Sequence, residues 1–193
     1  MKPNIYVVPR WSGTIHSDWY DWLAEQVEAR WQVPLRRLEM PHWQTPRVEE
    51  ALAFLSEQVP GLDEGTFFIG HSVGCQSILR FLHQKLTPES TSPNVGGLLF
   101  VAGWLEVDEP WDTVEPWLDR GTLDLRSVRE RVLHKRVLIS DNDPFTSDFA
   151  RNKYLWETRL GADVTLYSGQ RHFNQKTAPE VLSALREMVE PAN

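Results

Sequence analysis

Cysteine is almost absent: Cys75 is the only one in 193 residues. No disulfide framework can form within one chain, and a reducing, cytoplasmic setting is expected. Long apolar runs are missing too, with nothing near the roughly 18 consecutive apolar residues that cross a bilayer. The opening MKPNIYVVPRW has a short apolar run before Pro9 and Arg10, too brief for a signal-peptide core and suited to a first strand. Basic residues are outnumbered, 20 against 27 acidic, for a formal charge of −7. Without a basic face, binding to nucleic acid or to an anionic membrane surface is not expected. The most basic stretch, near residues 126–136, reads as one face of a helix. Phosphate-loop, dinucleotide, zincin and paired-cysteine motifs are all lacking, so neither a cofactor nor a metal is expected.

What is present is an alternation. Short β-rich runs occur at 4–9, 35–40, 66–70, 97–102, 136–140 and 163–167. Between them lie segments with helical apolar spacing at 18–31, 47–59, 77–86, 147–160 and 178–189. A strand about every 30 residues is the rhythm of successive βαβ units. The runs at 66–70 and 97–102 are apolar without a break, as in strands covered on both faces. The expected fold is a three-layer α/β/α sandwich with a mostly parallel sheet of about six strands, one domain over 1–193. The least patterned stretch, 103–127, is expected to be a small cap over the sheet edge or a loop excursion.

The sharpest local feature is Gly70-His71-Ser72-Val73-Gly74, a G-x-S-x-G directly after a strand and before a helix. A serine held between the two needs strained backbone angles, so residues two before and two after it must be nearly without side chains. The following helix directs its N-terminal dipole and a backbone N–H toward the oxygen that becomes negative in acyl transfer. Such a serine needs a base and an orienting acid from later loops on the same sheet edge. After the fifth strand run, Ser140-Asp141-Asn142-Asp143-Pro144 offers two acids. Pro144 biases Asp143 toward extended backbone, which favours it over Asp141. After the sixth comes His172. Among the other histidines, His71 is read as structural, His83 as helical and His134 as preceding the fifth strand. His16 and His42 lie on the right edge but out of chain order. For the oxyanion, the backbone amide of Val73 is one expected donor and that of Trp11, or next Arg10, the other. Cys75 is read as a small buried residue.

With GHSVGC, DWYDWL after the first strand, EMP ending the second, SDNDPF and RHFN in order along most of the chain, the sequence resembles the α/β-hydrolase superfamily. Within it, the chain is similar to the small serine hydrolases that include YdeN-type bacterial proteins and human retinoblastoma-binding protein 9. The resemblance implies Ser72 as nucleophile, Asp143 as acid and His172 as base. It also marks a departure: many relatives carry a glycine-containing stretch after the first strand, where this chain has Pro9-Arg10-Trp11.

Nine tryptophans are the other surplus. Trp11, Trp43 and Trp104 follow strand ends, while Phe145 and Phe173 follow the proposed acid and base. These five are expected to ring Ser72 as an apolar pocket for a small hydrophobic ester or amide, with Trp22 and Trp31 in the core. The functional expectation is a carboxylesterase working through an acyl-enzyme on Ser72. The alternatives are a non-catalytic protein-interaction module on a hydrolase scaffold, or a thioesterase or acyltransferase with the same triad. No protein partner is indicated.

Overall fold

The structure, a computed structural model, describes residues 2–87, 94–119, 121 and 123–190. Six strands, β1 (Asn4–Val8), β2 (Leu35–Arg37), β3 (Thr66–His71), β4 (Val95–Val101), β5 (Val132–Ser140) and β6 (Asp163–Tyr167), form one sheet in the order β2-β1-β3-β4-β5-β6. Every pairing is parallel. Six helices alternate with them: α1 (Tyr20–Trp31), α2 (Val48–Gln58), α3 (Val73–Lys85), α4 (Arg126–Arg131), α5 (Phe149–Leu155) and α6 (Pro179–Val189).

Strand alternation divides the core in two. Tyr6, Val8, Phe68, Leu98, Phe100 and Val137 pack toward α2, α3, α4 and α5. Ile5, Val7, Phe67, Ile69, Leu99 and Leu138 face α1 and α6. Two buried faces explain the unbroken apolar runs and define the three-layer sandwich. Helix α3 is the innermost helix, with every residue from Val73 to Leu82 buried. Trp22 and Trp31 are only partly buried and pack on the rim of the α1/α6 core.

Several boundaries differ from expectation. Helix α3 starts at Val73, four residues before the expected segment, with Gly74 and Cys75 in its first turn. Strand β5 starts at Val132 and His134 lies inside it, paired with Gly97 of β4. Strand β2 ends at Arg37, although the Leu38 amide still donates to the Val7 carbonyl at 2.9 Å. Helix α5 runs on as a π-type turn, Trp156–Leu160, closed by the left-handed Gly161. Between β4 and α4 the chain makes one 3₁₀ turn, Glu115–Trp117. Trp117 is buried there, its indole N–H on the Pro46 carbonyl and its own carbonyl accepting from Arg80. This excursion is therefore pinned to α3 and to the start of α2, and it walls one side of the site below. Among the described residues no helix is long and apolar enough to cross a membrane.

Candidate active site

Ser72 sits between β3 and α3 with φ 54° and ψ −119°, a region that costs a non-glycine residue about 1–3 kcal/mol. Its surroundings hold it there. Its amide continues the sheet ladder to the Val101 carbonyl, and its carbonyl accepts from the Cys75 amide, both at 2.9 Å. The flanking glycines are required by close approach. A Cβ on Gly70 would lie 2.7 Å from the Cys75 backbone, and one on Gly74 would collide with the Val8 carbonyl oxygen. Cys75 is buried beneath the elbow, and burial pushes its thiol pKa up, as suits an inert packing residue.

The acid and base meet. His172 Nδ1 lies 2.8 Å from Asp143 Oδ2, both residues buried. The other oxygen, Asp143 Oδ1, accepts the Phe145 amide at 3.0 Å, which fixes the carboxylate plane. Asp141 does something else: its Oδ1 accepts the Gly169 amide at 2.9 Å, and this bond, foremost, holds its pKa below the usual carboxylate range. Ser140 and Asn142 likewise take the amides of Gln170 and Arg171. The strand β5 end thus clamps the loop that carries His172, whose neighbours Arg171 and Phe173 both have positive φ.

A buried network joins that loop to the one after β1. The Arg10 amide donates to Tyr20 Oη at 3.1 Å, Tyr20 Oη lies 2.8 Å from His71 Nδ1, and His71 Nε2 lies 2.8 Å from the His172 carbonyl. A carbonyl can only accept, so His71 is neutral with its proton on Nε2, and Tyr20 donates to Nδ1. Asp18 braces the same region, binding Arg10 through two guanidinium nitrogens and accepting from Asn174. The network occupies the Arg10 amide. The Trp11 amide makes no hydrogen bond to another described residue. The Val73 amide, first in its helix, has no intrahelical partner.

Burial, and after it the neighbouring His172, holds the His71 pKa well below its ordinary value. A folded-state pKa below the unfolded one means that the folded chain binds fewer protons. The stabilisation is therefore complete above about pH 6.5 and is lost as pH falls below it, by up to ~1.4 kcal/mol per unit, until the folded pKa is reached. Urea midpoints are expected to drop between about pH 7 and 5. His71→Gln should flatten that drop without abolishing it, because His134, held low by partial burial, acts in the same direction.

A cavity of about 590 Å³ opens over Ser72 and His172. Trp11, Trp104, Val107, Trp111, Val114 and Phe145 give it an apolar wall, and the Trp104 indole N–H points to Ser72 Oγ at 3.4 Å. Two expected members are elsewhere. Trp43 is buried against Trp117 with its indole N–H on the Pro9 and Arg10 carbonyls, so it is spent on bracing the β1 loop. Phe173 is fully buried on the α1/α6 face, because its positive φ turns the chain inward just after His172. Trp111 takes their place. Reaching in from the 103–127 excursion, whose lack of periodicity gave no strand end to anchor it, its ring lies tilted between those of Trp11 and Phe145. Among the described residues, no group of three or more His, Cys, Asp or Glu side chains is arranged to hold a metal ion.

A parallel sheet in this order, with a serine at a strained strand-to-helix elbow and a paired acid and histidine on the same edge, defines an α/β hydrolase. The chain belongs to the serine hydrolase family, whose profile matches residues 5–187. It is similar to the YdeN protein of Bacillus subtilis, 28% identical over 169 residues, 83% of this chain and 85% of that one. The crystal structure of the ydeN gene product from that organism superposes with a TM-score of 0.83 at 25% identity, covering 96% of this chain and 98% of that one. Est1E from Butyrivibrio proteoclasticus shares the fold, with a TM-score of 0.69 at 11% identity over 97% of this chain and 87% of that one.

Proposed function

We propose that this serine hydrolase is a carboxylesterase for small hydrophobic esters, with Ser72, His172 and Asp143 as its triad. The observation that carries the reading is the Asp143–His172 bond of 2.8 Å beside a strained Ser72 in one apolar-walled cavity. Asp143 accepts a hydrogen bond from the Nδ1–H of His172, which keeps the proton on Nδ1 and leaves Nε2 as the base. That nitrogen takes the Ser72 proton as Oγ attacks the ester carbon, and the amides of Val73 and Trp11 receive the developing oxyanion. Collapse breaks the bond to the leaving oxygen, which gains the proton from His172. Water then attacks the acyl-enzyme by the same path and regenerates Ser72. Trp11, Trp104, Trp111 and Phe145 would hold the acyl chain. A lone buried cysteine suits a reducing compartment, so we place the reaction in the cytoplasm.

Fluorophosphonate labelling with the adduct located by mass spectrometry tests this directly. The adduct is expected on Ser72 and is expected to vanish in both Ser72→Ala and His172→Ala. A folded wild-type chain that takes no label would turn the reading to an interaction module on a hydrolase scaffold.

A further inference from the structure

A second groove of about 400 Å³ adjoins the cavity. It shares Phe145, His172 and Asn174 with the first, but neither Ser72 nor any tryptophan lines it. The remainder of its wall is polar or backbone: Gly169, Gln170, Arg171 and Gln175 beside Pro144. One cation lines it and no carboxylate does. We propose that this groove receives the leaving group of the ester, and that Arg171 selects leaving groups bearing a carboxylate. The proposal rests on the acyl-enzyme reading of Ser72.

The chemistry orders the two spaces. As the bond from Ser72 Oγ to the acyl carbon forms and the bond to the leaving oxygen breaks, the proton held by His172 passes to that oxygen. The alcohol fragment therefore lies on the His172 side of the reacting carbon. Leading away from Ser72, past His172 and the edge-on ring of Phe145 at 4.9 Å, the way runs into this second groove.

Arg171 is placed there by its backbone. Its φ is 52°, a left-handed conformation that costs a residue with a Cβ about 1–2 kcal/mol and glycine nothing. Its amide is tied to Asn142 Oδ1 at 2.7 Å. The loop is thus rigid, and an arginine stands where a glycine would cost less. The two cations beside His172 differ in what they do. Arg10, lining the main cavity, is held by Asp18 and by the Trp11 carbonyl. The Arg171 guanidinium is exposed and makes no hydrogen bond or ion pair with another described residue. Asp141, the acid bonded to this loop, accepts from the Gly169 amide. On a chain of net charge −7, the exposed guanidinium of this lining residue offers a cation at the groove, and its planar fork matches a carboxylate.

The test compares phenyl acetate with 4-acetoxybenzoate, two acetates whose leaving groups differ by one carboxylate. Arg171→Gly suits the left-handed backbone and so preserves the loop, and Arg171→Gln repeats the charge loss with a side chain retained. In either variant the ratio of kcat/KM for 4-acetoxybenzoate over phenyl acetate is expected to fall about fivefold, the upper range for an exposed ion pair. In the wild type, raising salt to about 0.5 M should shrink the preference. A ratio within about twofold of wild type would overturn the proposal, and because both esters are still consumed it would leave the Ser72 reading standing. If a folded wild type consumes neither ester, the esterase reading fails. The groove is then decided by titrating 4-hydroxybenzoate into Ser72→Ala with and without Arg171→Gly. A Kd weakened about fivefold supports the site, and an unchanged Kd removes it.

Discussion

Asp143→Asn is expected to lower kcat/KM on any ester the chain hydrolyses by about 10⁴-fold, while Asp141→Asn lowers it by less than about tenfold. The two acids are two residues apart, yet they stand in different relations to the base. Asp143 accepts from His172 Nδ1 and has its plane set by the Phe145 amide. An asparagine there presents an N–H to the ring, which moves the imidazole proton to Nε2. That is the nitrogen that must be bare to take the Ser72 proton, and the imidazolium formed in the reaction also loses its counter-charge. Asp141 only accepts a loop amide, and asparagine keeps an acceptor for it. Steady-state kinetics beside circular dichroism spectra of both variants decides the matter. A larger loss from Asp141→Asn would mean that the acid has been misassigned.

Gly74→Ala carries the largest expected effect on stability, a loss of at least ~3 kcal/mol or failure to fold. The added methyl would strike the Val8 and Pro9 carbonyl oxygens. Those are backbone atoms at the end of β1, where Val8 pairs with Gly70 in the sheet, so no side chain can swing aside to relieve the clash. Gly61→Ala is the control. Nothing lies near its added methyl, and its effect should stay within about 0.5 kcal/mol. Thermal or urea melts of the two would show the contrast, and equal stability would mean that the contact between β1 and α3 is looser than described. The same contact, pressing the first turn of α3 against the end of β1, brings the Val73 and Trp11 amides, the proposed oxyanion donors, to one edge of the sheet.

The six strands, five of the helices and the places of Ser72, Asp143 and His172 after strand ends were legible in the sequence because each depends on a local pattern. Unbroken apolar runs marked β3 and β4, and G-x-S-x-G between them and a helix marked the elbow. Asp143 was preferred over Asp141 for its proline neighbour, and the structure adds why the two divide their tasks: the amides of Gly169, Gln170 and Arg171 after β6 need acceptors, and Asp141, Ser140 and Asn142 supply them. The pocket was read less well. Trp43 and Phe173 follow strand ends as Trp104 does, but which way a side chain leaves a loop depends on local φ and on distant partners. Positive φ at His42 and at Phe173 itself turns both rings inward, and one-dimensional spacing carries no trace of that. Trp111 was missed for the converse reason. Its place is set by contacts with Trp11 and Phe145, residues far from it in the chain. The long β5 was shortened because His134, Lys135 and Arg136 interrupt its apolar character, although pairing with β4 extends it.

The position of β6 at the edge of the sheet and last in the chain has a consequence for the protein's synthesis. Strands β1 to β4 and helix α3 are made before β6, and they include the Val101 carbonyl and the Cys75 amide that hold Ser72 in its elbow. His172, the proposed base, comes only with the loop after β6. On the triad reading, a nascent chain that has not yet reached that loop would hold a bent Ser72 with nothing to deprotonate it.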